Sequence, residues 1–122
     1  MNWYLAKIIY KIECTDGNYQ SQFDEQYRII EAIDALDAFK KANEIALLGE
    51  DEFLNEKKEI VHWKFSAITE LNAISKPSHG IEVYSTIIES DEVHEYPKKI
   101  QMKEFMLRKR LQIPQKKIHS LI

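Results

Sequence analysis

The chain has 122 residues, 44% of them apolar and 11% aromatic, which fits one ordinary globular domain. Three glycines and three prolines exclude collagen-like and low-complexity architectures. The single cysteine, Cys14, excludes an internal disulfide and a multi-cysteine zinc site. The net charge of −3 hides an uneven distribution. Residues 97–122 hold eight basic residues against one acid, Glu104, a charge of +7 that leaves −10 on residues 1–96. Such asymmetry hints at a partner. It also sets the expected organisation, an α+β domain over 1–96 followed by a basic, partly apolar tail over 97–122.

Residues 3–14 alternate. Tyr4, Ala6, Ile8, Tyr10, Ile12 and Cys14 fall on one face, and Trp3, Leu5, Lys7, Ile9, Lys11 and Glu13 on the other. Period two over twelve residues predicts a strand. Thr15-Asp16-Gly17-Asn18 suits a tight turn, because Asp-Gly tolerates positive φ. A second strand follows over about 19–32, with Phe23, Tyr27 and Ile29 on one face.

The period then changes. Asp34 is a good N-cap, and Asp37 puts negative charge in the first turn. Ala35, Ala38, Phe39, Ala42, Ile45 and Ala46 recur at helical spacing, and Gly49 stands where a helix would end. Residues 50–60 are charged and aperiodic, so they read as a loop or a short helical extension. A third strand is expected over 61–74, with Val61, Trp63, Phe65, Ala67, Thr69, Leu71 and Ala73 on one face. Lys76-Pro77-Ser78-His79-Gly80 is a turn cluster. The β-branched run 81–90 reads as a fourth strand. Residues 98–112 are expected to be helical, stopping before Pro114.

The predicted fold is therefore α+β: an antiparallel sheet of β-β-α-β-β order with one covering helix, then a basic C-terminal helical tail. The predicted core is Tyr4, Ala6, Ile8, Tyr10, Ile12, Ala38, Phe39, Ala42, Ile45, Trp63, Phe65 and Val83.

The ordered set Trp3-Tyr4-Leu5-Ala6-Lys7, the Ala-rich segment from Glu31 to Ala42, Trp63-Lys64-Phe65 and Gly80-Ile81-Glu82-Val83-Tyr84-Ser85 resembles an uncharacterised bacterial family, known only as a domain of unknown function. The resemblance covers about residues 2–90. It implies a small cytoplasmic α+β domain and carries over no catalytic residue.

The chemistry of the residues points away from an enzyme. Glu92 and His94 are two apart, but no H-E-x-x-H or C-x-x-C accompanies them, so no metal and no cofactor is expected. Cys14 lies between Glu13 and Asp16, a poor setting for a thiolate, and reads as a small core hydrophobe. The acids Glu50, Asp51, Glu52, Glu56 and Glu59 read as a solvated surface. There is no Gly-x-Ser-x-Gly elbow and no phosphate-binding glycine loop.

The aromatics remain. With Tyr4 and Tyr10 facing the helix, Trp3, Leu5 and Ile9 face outward and make that face too apolar to be left to solvent. They are the candidate self-association face, most simply of a twofold dimer. In the tail, Met102 and Met106 are four apart, as are Leu107 and Leu111, and these four are the candidate residues for docking onto the acidic body or onto a partner subunit. The function read from this is a non-enzymatic, self-associating protein-interaction module. One alternative is a nucleic-acid-associated accessory protein using the basic tail, which the acidic body opposes. Another is an acidic inhibitor or immunity-type protein that binds a basic protein partner. Lys7 and Lys11 interrupt any N-terminal apolar run, and no run approaches the length of a membrane span, so the expectation is a cytoplasmic protein with no membrane association.

Overall fold

A computed structural model of the chain describes residues 1–15, 21–89 and 95–115. They fall into two compact units, Met1–Ser85 and Thr86–Ile122. The first unit holds β1 (Asn2–Cys14), β2 (Gln22–Ala32), α1 (Ala35–Leu48), β3 (Asp51–Leu54) and β4 (Ile60–Ile74). The second holds α2 (Glu95–Leu111). The strands form one antiparallel sheet in the order β2-β1-β4-β3. The architecture is thus α+β, with an antiparallel β-β-α-β-β sheet and helix. The turn expected at 16–18, the pair Glu92 and His94, and His119 lie outside the described residues.

β1 is the central strand. Its even-numbered side chains Tyr4, Ala6, Ile8 and Tyr10 are buried beneath α1, which meets them with Ala38, Ala42 and Ala46. Alanines at i, i+4 and i+8 make one smooth stripe along a helix, so the backbone comes close to the sheet. Ile30 and Ala32 of β2 close one side of this core, and Ile45, Ile68 and Leu71 pack against it. Asp34 caps α1, its Oδ1 accepting from the Asp37 amide at 2.8 Å, while Asp37 Oδ2 accepts from the Ile33 amide at 3.0 Å. This reciprocal arrangement satisfies one orphan donor of the helix start, the Asp37 amide, and the Ile33 amide just ahead of the cap. It also holds the Asp37 carboxyl below its ordinary value, through the Ile33 amide first and Lys41 second.

The expected fourth strand is corrected by the structure. Residues 81–89 carry no strand, and 51–54 do. The run 81–89 has strand-favouring side chains but pairs with no strand among the described residues, and such propensity is realised only against a partner. The segment 50–60 pairs instead with β4 through a side-chain-built hairpin. Asn55 Oδ1 accepts from the amides of Lys57 and Glu59 at 2.9 and 3.0 Å, and Lys58 takes a φ of 61°. An Asn-directed turn of this kind replaces the Gly signal that marks most hairpins. The turn expected at 76–80 is present: Ile81 donates to the Ser78 carbonyl at 3.2 Å, and Gly80 has a φ of 79°, as the third position of a type II turn requires.

Two further expectations change. Phe39 is 44% exposed and is not core. Ala38, one position back, faces the sheet, and a step of about 100° around the helix carries Phe39 out of the contact. The β4 alternation from Val61 to Ala73 is broken twice. Register shifts opposite Lys7/Ile8 and Ile9/Tyr10 leave Thr69 and Ser66 without partners. Each bulge inserts one residue and resets which face follows. Ile68 therefore packs on the core, and Ala67 pairs with Ile9 on the far face. Ile12, Ile45, Trp63, Phe65 and Val83 are half-buried rather than buried.

Candidate interaction surface

The face of the sheet away from α1 is built by alternation from β1 outward. Trp3, Leu5, Lys7, Ile9 and Lys11 stand along the centre. β2 sets Glu31, Ile29, Tyr27, Glu25 and Phe23 against them in that order, and β4 sets Ile74, Asn72, Glu70, Ala67 and Lys64. Trp3, Leu5 and Ile9 are half-buried among these neighbours, while Phe23, Tyr27 and Ile29 are largely exposed. The outward placement expected of Trp3, Leu5 and Ile9 is thus what the structure has, and it joins them to the Phe23/Tyr27/Ile29 row.

A charge cluster at the centre was not read from the sequence. Lys7 Nζ lies 3.0 Å from Glu25 Oε1 and 3.2 Å from Glu70 Oε2, one acid from each flanking strand. It also sits 5.6 Å from the centre of the Tyr27 ring, within cation–π range. Hydrogen bonds to Glu25 and then Glu70 hold the ammonium well above the ordinary lysine range. The clue was a lysine in the middle of an apolar row. Finding its partners needed the register, which places Glu70 opposite Lys7 and Glu25 on the diagonal. Lys11 pairs with Glu13 at 2.9 Å on the same face. Lys7 and Lys11 of this face are therefore met by acids, while Lys64 stands exposed beside Lys11 at its far end.

The other sequence candidates fall elsewhere. Cys14 is a half-buried free thiol paired across the sheet with Val61. Glu50 Oε2 accepts from the Phe65 amide at 2.9 Å, taking up a backbone donor of β4 just ahead of the start of β3. Glu52 lies opposite His62, with Nδ1 and Oε2 3.7 Å apart. Among the described residues no group of three or more His, Cys, Asp or Glu side chains is placed to hold a metal ion, and no helix is long and apolar enough to cross a membrane.

α2 stands in the second unit. It covers most of the stretch expected to be helical and starts at Glu95. Pro97 is tolerated there because the first-turn amides have no helical acceptor. Met102, Met106, Leu107 and Leu111 are all exposed on it, and none of its described residues is buried. Its end is well built. Gln112 has a φ of 58°, Ile113 donates to the Arg108 carbonyl at 2.9 Å, and Gln112 donates to the Lys109 carbonyl at 3.2 Å. This is a Schellman closure with a residue other than glycine at its left-handed position. Arg108 adds a bond from Nη1 to the Pro114 carbonyl at 2.8 Å.

No curated protein and no solved structure matches the chain. A family model does, over residues 3–85. That span runs from the first outward tryptophan to the end of the first unit and stops short of α2. The chain belongs to the family described as Domain of unknown function (DUF4288).

Proposed function

We propose that this protein is a non-enzymatic protein-interaction module that self-associates through the open face of its sheet. The observation that carries the reading is the set of apolar side chains Trp3, Leu5, Ile9, Phe23, Tyr27 and Ile29 on one face of the sheet, with Lys7 held in ion pairs among them. An exposed apolar face of this kind favours contact over solvation. Because Lys7 and Lys11 are already engaged by acids, neither ammonium needs a counter-charge from a second copy. Aromatic anchors near the middle of a patch are the usual hot spots of such contacts. A cytoplasmic location goes with this reading, since the free thiol of Cys14 suits a reducing compartment.

The test is the assembly mass in solution. The intact chain is expected to run above its 14.4 kDa monomer mass, through an interface of roughly 1,200–2,000 Å². Leu5→Glu and Ile9→Glu are expected to return it toward monomer with the far-UV circular dichroism unchanged. A monomer across the micromolar range refutes the reading.

A further inference from the structure

We propose that β2 also pairs edge to edge with β2 of a second copy, antiparallel about a twofold axis, with Gln26 opposite the partner's Gln26. β2 is an outer strand of the sheet, and among the described residues no strand pairs with its free side. Its ladder with β1 is unbroken from Asn2↔Ala32 to Ile12↔Gln22, so its backbone alternates regularly. Lys41 Nζ donates to the Glu31 carbonyl at 3.1 Å. That carbonyl therefore points away from β1, and alternation points the amides and carbonyls of Phe23, Glu25, Tyr27 and Ile29 the same way. Lys41 also caps the free edge at Glu31. This leaves 22–30 available, the span that a twofold pairing centred on Gln26 uses.

The side chains select that register. Centring on Gln26 sets Asp24 opposite the partner's Arg28 and Arg28 opposite the partner's Asp24. Both fall in the non-hydrogen-bonded pairs, where side chains approach most closely. On the other face Phe23 meets the partner's Ile29, and Ile29 the partner's Phe23. Shifting by two in one direction brings Glu25 against the partner's Glu25. Shifting by two in the other puts Asp24 opposite Ile30 and Arg28 opposite Gln26, losing both charge pairs. Like charges directly opposite destabilise a ladder, and opposite charges support it. Among the described residues Arg28 donates to an amide oxygen, Gln26 Oε1, at 3.1 and 2.8 Å, and Gln26 in turn donates to Asp24 Oδ2 at 2.5 Å. Among the described residues Arg28 has no carboxylate in ion-pair range. The second copy supplies one, and the contact is isologous, as a closed dimer requires. It uses the free backbone edge of β2 and shares Phe23 and Ile29 with the open face, so Leu5→Glu, which lies off that edge, separates the two contacts.

The experiment mixes two variants of the full chain. Asp24→Arg alone puts arginine opposite arginine, and Arg28→Asp alone puts aspartate opposite aspartate. Each is expected to weaken association at least about tenfold by sedimentation equilibrium, with circular dichroism and melting temperature close to wild type. In the mixture, the arginine introduced at position 24 of one chain faces the aspartate introduced at position 28 of the other. The native Arg28 of the first chain faces the native Asp24 of the second, so both pairs are again of opposite charge. Association is expected to return as a heterodimer. The double variant Asp24→Arg/Arg28→Asp in one chain is expected to restore it alone, which covers the case of a single variant that folds poorly. Association untouched by either single variant, or lost in the singles and not regained by the mixture or the double variant, overturns the edge contact. If Leu5→Glu abolishes association in that case, the open-face reading survives. A wild-type chain that stays monomeric overturns both.

Discussion

The hydroxyl of Tyr10 occupies the space that a Cβ on Gly49 would need. Tyr10 reaches across from the middle of β1 to the end of α1, where its hydroxyl donates to the Ala46 carbonyl at 2.7 Å. The same carbonyl accepts from the Gly49 amide at 3.1 Å. Gly49 has a φ of −85°, so its role is room rather than an unusual backbone. A buried tyrosine thus closes the helix C-terminus and ties it to the sheet, while its ring packs at 6.2 and 6.3 Å from Trp63 and Phe65.

This relationship predicts coupling. Gly49→Ala is expected to destabilise by about 1–3 kcal/mol through overpacking, and Tyr10→Phe by about 1 kcal/mol through the lost hydrogen bond. Combined, they are expected to cost less than their sum, because the phenyl ring removes the oxygen that the new methyl group meets. The relief is partial, since Cζ of residue 10 is still only 3.0 Å from the added Cβ. Chemical denaturation of the four proteins gives the coupling energy. Strict additivity would refute the account.

The alanine stripe of α1 predicts opposite sensitivities at neighbouring positions. Ala42 is fully buried against β1 and β2, and Phe39 is not. Ala42→Leu is expected to cost about 1–3 kcal/mol by forcing helix and sheet apart. Phe39→Ala is expected to cost well under the roughly 3–5 kcal/mol of a buried phenylalanine. Equal losses in urea titrations of the two variants would contradict the observed packing.

Much of this architecture was legible because it is local. The alternation of 3–14, the cap at Asp34 and the small-residue stripe each name one element and its inward face. What was hidden depends on chain segments meeting. β3 has only Phe53 and Leu54 as apolar residues, and its turn is made by the Asn55 side chain, which leaves no glycine to read. The bulges at Ser66 and Thr69 are fixed by register against β1, so Ile68 and Ala67 exchange the faces that simple alternation gives them. The outward row was readable as Trp3, Leu5 and Ile9. The Lys7–Glu25–Glu70 cluster was not, because its members are contributed by three strands.

Alkaline pH is expected to weaken the fold through Tyr10 and Lys7. Burial pushes the Tyr10 hydroxyl above its ordinary value of 10.0, and Glu25 and Glu70 hold Lys7 above 10.5. The folded chain therefore keeps protons that the unfolded chain releases. Stability falls with rising pH wherever the native state binds more protons. The contribution is complete below the ordinary values and is lost as pH climbs through the raised ones. Melting temperatures measured from neutral pH to above about 10 are expected to fall more steeply for wild type than for Tyr10→Phe or Lys7→Gln. Parallel curves for all three would refute the assignment.

The end of α2 predicts a gain. Gln112 adopts the left-handed conformation that closes the Schellman motif, which costs an L-residue roughly 1–2 kcal/mol. Glycine takes it freely but loses more entropy on folding, so the net benefit of Gln112→Gly is expected to be about 0.5–1 kcal/mol. No described residue of α2 is buried, so local terms of this size weigh more here than in α1, which packing holds in place. The two closing bonds, from Gln112 to Lys109 and from Ile113 to Arg108, are the ones that tighten. Amide exchange at Gln112 and Ile113 is therefore expected to slow several-fold in the variant, with that of β1 and α1 unchanged. If exchange at these two amides speeds up instead, Gln112 holds its position through its side chain, and the left-handed backbone is not the cost the helix end carries.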